Sequence, residues 1–144
     1  MSGTGKTTAI RALASRGFKA VDTDDGWCEP LPDGRQQWRA DAIAVLLATE
    51  DAPVLFVAGC EDNQVQFHRQ FDHIILLSAP PEVLVERLAE RLGNPYGKAP
   101  GELERVLTDV RTVEPLLRRA AHHEICTTMR PDEVVTAILR AVGA

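Results

Sequence analysis

Near its start the chain reads Ser2-Gly3-Thr4-Gly5-Lys6-Thr7-Thr8, and no other stretch constrains the fold as much. In the pattern G-x-x-x-x-G-K-[ST] a buried strand leads in and a helix leads out, because backbone N–H groups wrap an anion where a tight glycine turn meets a helix N-terminus. Gly5, Lys6 and Thr7 supply the end of this pattern, while its first glycine would fall one position before Met1. The context downstream is the required one: an amphipathic stretch, Lys6–Ser15, then a short apolar run, Lys19–Val21. A β-phosphate suits the turn, Lys6 would bridge the β- and γ-phosphates as a point charge, and the Thr7 hydroxyl would hold Mg²⁺. Ser2, Gly3, Thr4, Gly5, Lys6, Thr7 and Thr8 are therefore the candidate nucleotide contacts.

The leading strand of such a loop is central to its sheet. Losing about five buried apolar residues at roughly 1.5–3 kcal/mol each would remove about as much as a domain's whole stability of ~5–15 kcal/mol. Met1 is accordingly expected to be an internal methionine of a longer chain, with a strand and one glycine before it. Sequencing the in-frame codons just upstream decides the point, since a stop codon, or polar residues with no glycine, would reject it.

Further along, apolar runs at Lys19–Val21, Val54–Ala58, Ile74–Leu77 and Glu124–Cys126 alternate with helical patterns. Those patterns cover Lys6–Ser15, Trp38–Thr49, about Asn63–Arg69, Pro81–Arg91, Glu102–Ala121 and Pro131–Val142. Short apolar runs separated by helices predict βαβ units and a parallel sheet buried on both faces. With 144 residues and 44% hydrophobic content, one three-layer α/β domain over 1–144 is expected. "EPLPDGRQ" from Glu29 and "GNPYGKAPG" from Gly93 are dense in Pro and Gly and read as loops, of the kind that serve as functional lids or binding elements.

Composition narrows the function classes. The net charge of -5 argues against a nucleic-acid partner or an anionic membrane surface. Cys28, Cys60 and Cys126 are odd in number and form no C-x-x-C pair, so reduced thiols are expected rather than a disulfide framework or a zinc site. The longest apolar run, Ala42–Ala48, falls far short of the roughly 20 residues of a membrane span. With no signal-peptide pattern, a cytoplasmic location is expected.

The run Lys19–Val21 ends in Asp22-Thr23-Asp24-Asp25, at the strand edge where open α/β sheets place ligands. Period-two alternation puts Asp22 and Asp24 on one side. One carboxylate can orient Mg²⁺ and the other can take the proton of an attacking hydroxyl, the division of labour that phosphoryl transfer requires.

G-x-G-K-[ST], a short helix and then D-T-D, in that order, resembles the shikimate kinases, and more loosely the dephospho-coenzyme A kinases and adenylate kinases. N-P-Y-G-K and V-E-P-L-L-R resemble bacterial proteins known only as AAA-family ATP-binding. The resemblance implies a P-loop kinase fold with a parallel sheet of order 2-3-1-4-5, whose first strand is missing from this chain, and a lid at about 92–101. It further implies ATP and Mg²⁺ as cofactors, with Lys6 and Thr7 serving ATP·Mg²⁺ and Asp22 near the metal. Asp24 would bind the acceptor hydroxyl and act as base. Arg91 and Lys98 would close over the phosphates, with Arg87 nearer the adenine.

On the acceptor side Gly59 stands where those kinases carry a glycine run, and Val113 stands where they carry the arginine of R-x-P, which argues against shikimate itself. Arg39, with Arg35, Arg118, Arg119, Asn63 and Gln64, supplies further acceptor candidates. Trp27 and Trp38 suit core or hinge packing or stacking on a ring, and His122 and His123 suit a helix dipole and solvent. The turn "CTTMRPDEV" resembles an adenine rest, with Asp132 or Thr128 capping the last helix. The expected activity is transfer of the γ-phosphoryl of ATP to a hydroxyl of a small metabolite or nucleoside-like acceptor, by a monomer or homodimer. The alternatives are an ATP-binding module or switch without kinase activity, and an inactive fragment.

Overall fold

The computed structural model describes residues 4–90 and 102–144. In chain order these form α1 (Lys6–Ser15), β1 (Lys19–Asp22), β2 (Cys28–Pro30), β3 (Gln36–Trp38), α2 (Ala40–Ala48), β4 (Leu55–Ala58), a 3₁₀ segment (Asp62–Gln70), β5 (Ile75–Ser78), α3 (Pro81–Glu90), α4 (Glu102–Thr112), α5 (Glu114–Ala120), β6 (His123–Cys126) and α6 (Pro131–Val142). The chain divides into two compact units, Lys6–Asp72 and His73–Gly143, the latter joined by Thr4 and Gly5.

In the Lys6–Asp72 unit α1 buries Ala9, Ile10 and Leu13 against β1 and β4. It stops where Gly17 adopts a left-handed φ of 92° and the Phe18 N–H returns to the Leu13 carbonyl at 3.2 Å, a glycine-dependent helix end. β1 and β4 pair in parallel, Lys19 opposite Leu55 and Asp22 opposite Ala58. Trp38, Ile43, Leu46 and Phe67 form the core, with Trp27, Val21 and Val57 packed against it. Trp38 and Trp27 thus take the packing role.

The stretch from Glu29 is not an irregular loop. β2 and β3 pair antiparallel, Cys28 opposite Trp38 and Pro30 opposite Gln36, and the tip is closed by Leu31 N–H to Arg35 O at 2.7 Å with Gly34 at φ 87°. Three-residue strands are too short to show a period of two, and prolines are tolerated on a ribbon with free edges, so composition alone conceals the hairpin.

In the His73–Gly143 unit β5 and β6 pair in parallel, Ile75 opposite His123 and Ser78 opposite Cys126. α6 buries Val134, Val135 and Ile138 against β6. Ala79, Leu84 and Val106 form a second core with Val83 and Val110. The helix expected over Glu102–Ala121 is two helices: α4 ends at Thr112 and α5 starts at Glu114 with Pro115 in its first turn. Pro115 has no N–H to continue α4, and its ring would clash with the carbonyl four residues back.

The expected cap of α6 is also revised. Arg130 holds the N-cap position without a side-chain bond, Pro131 follows it, and Asp132 instead accepts from Arg130 at 3.0 Å. His122 and His123 serve neither a dipole nor solvent alone: His122 Nδ1 accepts the Ile74 N–H at 2.9 Å, and His123 Nε2 lies 3.3 Å from His73 Nδ1. Counting the expected leading strand as the first, the order 2-3-1-4-5 sets β1 beside β4 and β5 beside β6, and both adjacencies are observed. Among the described residues no helix is long and apolar enough to cross a membrane.

Candidate active site

Lys6 opens α1, so its ammonium and the free N–H groups of the first turn share one end of the helix. One residue on, the Thr7 hydroxyl donates to Asp22 Oδ2 at 2.9 Å, which joins the phosphate loop to the acidic strand end. Gly5 has a φ of 95°, a left-handed conformation that only glycine adopts without strain. Thr4 is buried, and Thr8 is exposed. Ser2 and Gly3 lie outside the described residues, as do Arg91, Lys98 and the lid expected at about 92–101.

Asp22 and Asp24 come together by a different route from strand alternation. β1 ends at Asp22, and the Asp24 N–H turns back onto Asp22 Oδ1 at 3.1 Å, an Asp-initiated turn. Between them Thr23 is fully buried; its hydroxyl donates to the Ala58 carbonyl at 2.7 Å and accepts from Trp38 Nε1 at 3.0 Å. Thr23 therefore anchors the pair of aspartates on β4 and on the core. A Cβ at Gly59 would overlap the Thr23 hydroxyl and stand 3.0 Å from Trp38 Nε1. The space beside Gly59, an expected acceptor-side position, is filled from within by Thr23 and Trp38.

Beyond Asp24 the hairpin supplies a wall that the sequence alone did not reveal. One ligating atom each from Asp24, Cys28 and Glu61 lies within 4.8 Å of the others. Cys28 Sγ donates to the Thr23 carbonyl at 3.2 Å, and burial, reinforced by Glu61 and Asp24, pushes the thiol up to about 11. It stays a neutral thiol at physiological pH. Burial also raises the Glu61 carboxyl, against a hydrogen bond from Gln36 Nε2 at 2.9 Å and the charge of Lys6. Arg39 is exposed, and its Nε donates to the Cys28 carbonyl at 3.3 Å.

Several expected acceptor contacts have other occupations. Asn63 clamps the Trp38 backbone, its Oδ1 accepting the N–H at 3.0 Å and its Nδ2 donating to the carbonyl at 2.9 Å. Gln64 Oε1 accepts the Glu61 N–H at 3.2 Å. Arg35 pairs with Asp33 at 2.7 Å and Asp62 at 3.0 Å. In the other unit Arg118 pairs with Glu114 and Glu124, each at 2.7 Å.

Arg87 does more than face solvent. Its guanidinium donates to the Thr127 hydroxyl at 2.9 Å and to the Thr127 carbonyl at 2.6 Å. Thr127 is buried, at the turn after β6, and its Cβ lies 3.6 Å from where a Cβ on Gly5 would stand. Arg87 is thus fixed next to the residue that packs on the phosphate turn.

Oxygen donors suit a hard divalent cation, and the Thr7 hydroxyl with the Asp22 carboxylate is such a pair, so the residues present fit Mg²⁺. A glycine–lysine–threonine turn opening a helix, with a carboxylate pair at the end of the next parallel strand, defines a P-loop phosphotransferase.

Comparison with known proteins agrees. Shikimate kinase 2 of Yersinia enterocolitica is 34% identical, across 98% of this chain and 91% of that protein. Shikimate kinase 2 of Serratia proteamaculans is 30% identical, across 97% and 90%. A putative adenylate kinase of Natronomonas pharaonis is 31% identical, across 97% and 84%. A solved shikimate kinase from Acinetobacter baumannii, in complex with shikimate, shares the fold with a TM-score of 0.67 at 19% identity, covering 98% of this chain and 88% of that one. No protein-family model matches the chain. The chain belongs to the P-loop small-molecule kinases, the group of the shikimate and adenylate kinases. It has their α/β P-loop kinase fold, and it is a nucleotide-dependent kinase of a small molecule that uses ATP.

Proposed function

We propose that this kinase moves the γ-phosphoryl group of ATP onto a hydroxyl of a metabolite or nucleoside-like acceptor, with Asp24 as general base. The observation that carries the reading is the bonded set Thr7–Asp22–Asp24, which ties the loop to two carboxylates of different surroundings. Asp22 is engaged by the Thr7 hydroxyl and by a backbone N–H, whereas the Asp24 side chain is exposed at the end of the turn. The acceptor hydroxyl gives its proton to Asp24 as its oxygen attacks phosphorus, and ADP leaves with the bridging oxygen. Lys6 offsets charge on the transferring group and on the leaving β-phosphate. Mg²⁺ at Thr7 and Asp22 would neutralise the phosphate oxygens. Arg87 is assigned to the nucleotide, Arg91 to charge stabilisation, and Arg39 to the acceptor side.

The test is ADP release measured against a panel of hydroxylated metabolites and nucleosides under saturating Mg·ATP. Acceptor-dependent release supports the reading. Binding of Mg·ATP with no acceptor-dependent release under any panel member would make the chain a nucleotide-binding module instead.

A further inference from the structure

Carboxylates crowd the Asp24 end of the Lys6–Asp72 unit, and their surroundings restrict which alcohol can be used; this inference rests on the kinase reading above. Among the described residues neither Asp24 nor Glu61 forms an ion pair. Several cations of the unit are engaged elsewhere. Lys19 is paired with Asp51 at 2.5 Å and Arg35 with Asp33 and Asp62. Arg39 lays its Nε on the Cys28 carbonyl. Lys6, whose charge does reach Glu61, is committed to phosphate in a P-loop.

Glu61 is also aimed. Gln36 Nε2, on the hairpin, holds Oε1 at 2.9 Å, and the Glu61 N–H is closed onto Gln64 at 3.2 Å. Its carboxylate is therefore a fixed acceptor next to Asp24 and to the Cys28 thiol, 3.9 Å from Oε1. A group that donates a hydrogen bond finds a preset partner there. A carboxylate on the acceptor would meet two like charges, at Asp24 and Glu61, against the single guanidinium of Arg39, whose charge reaches Cys28.

We propose that Glu61 is a specificity-determining residue: it accepts a hydrogen bond from a hydroxyl or ammonium group neighbouring the hydroxyl that is phosphorylated, and so selects polyols and amino alcohols over hydroxy acids. The rejection of hydroxy acids is electrostatic, while the selection of donors is geometric. Raised by burial, the Glu61 carboxyl also gains from a donor that replaces lost water.

The experiment compares kcat/KM on two matched sets, glycerol, serinol and glycerate, and inositol, streptamine and quinate, for the full chain and for Glu61→Gln, with folding followed by circular dichroism. In the set that is turned over, the polyol or the amino alcohol should exceed the hydroxy acid by about tenfold or more, and Glu61→Gln should shrink that ratio by about tenfold. If the polyol leads, the donor is a neutral hydroxyl; if the amino alcohol leads, it is an ammonium. A hydroxy acid that is preferred, or a ratio that Glu61→Gln leaves unchanged, overturns the inference while the kinase reading stands. Mg·ATP bound with no acceptor turned over, in these sets or in the wider panel, overturns the kinase reading and this inference with it. Should Glu61→Gln fail to fold, Gln36→Ala frees the carboxylate from its anchor, and it should lower the same ratio.

Discussion

Glu124 and Glu61 are carboxylates beside parallel strands in the two units, and they are held in opposite ways. Glu124 accepts from Arg118 at 2.7 Å and from Ser78 at 2.9 Å, and Arg118 pairs in turn with the buried Glu114. The arginine and then the serine hold the Glu124 carboxyl below the usual range. Glu61 has an amide for a partner, and burial holds its carboxyl above the usual range. A carboxylate locked to an arginine is a fixture of the fold, because its charge is already answered. One that is aimed, half-buried and lacking an ion pair keeps its charge for something that arrives later. Asp24, though exposed, shares with Glu61 the lack of an ion pair among the described residues, and the sharpest experiments ask whether activity and stability follow this division.

The largest effects should fall on the Lys6–Asp24 side. Lys6→Ala should lower acceptor-dependent turnover by about 10²–10³-fold or more, the scale of losing a donor to developing charge. Asp24→Asn should cut kcat by about 10²–10⁴-fold as a lost general base, with ATP affinity nearly kept. Glu124→Gln, by contrast, should leave kcat within about twofold and lower the melting temperature, since only surface pairing is removed. Steady-state kinetics with a nucleotide-binding titration read all three. An equal loss of ATP affinity in Asp24→Asn would move that residue to metal binding and break its grouping with Glu61.

Next in size are changes to the scaffold beneath Asp24. Gly59→Ala places a methyl against the Thr23 hydroxyl and the Trp38 indole, an overpacking expected to cost about 1–3 kcal/mol. Thr23→Val keeps the shape but orphans Trp38 Nε1, about 1–3 kcal/mol for an unmade buried hydrogen bond. Chemical denaturation should show both losses. If Thr23 positions Asp24, Thr23→Val should also lower kcat while KM for ATP holds; an unchanged kcat would make Thr23 purely structural.

How much of this was legible in the sequence depended on whether the contact was local. α1 and α6 matched their expected bounds, because amphipathic periodicity and Pro131 mark them directly. The four parallel strands stood out as apolar runs, and the loop and D-T-D as residue types. Thr23 carried no such signal, since it lies just past β1 in the Asp22 turn and is drawn into the core by Ala58 and Trp38, both distant in sequence. Cys28 and Glu61 carried none, since what joins them to Asp24 is a hairpin of three-residue strands and a turn after β4. Asn63 and Gln64 show the converse failure, polar residues of plausible chemistry whose side chains the fold itself engages.

The smallest effect separates the two glutamates by pH alone. A carboxyl whose folded pKa is lowered adds stability that is present above its unfolded pKa and lost as pH falls through the folded value. Glu124→Gln should therefore be less stable than the parent at neutral pH, with the gap closing in acid. A carboxyl whose folded pKa is raised acts in the other sense. Its contribution is complete below the unfolded pKa, and it is lost as pH rises through the folded value, because ionising the half-buried group opposes folding. Glu61→Gln should then melt at or above the parent at neutral pH, and the advantage should vanish on acidification. Melting temperatures of the three proteins across the carboxylate range decide it. Two curves of the same sign would mean that Glu61 is answered by a cation in the folded chain, and the contrast between the units would be lost.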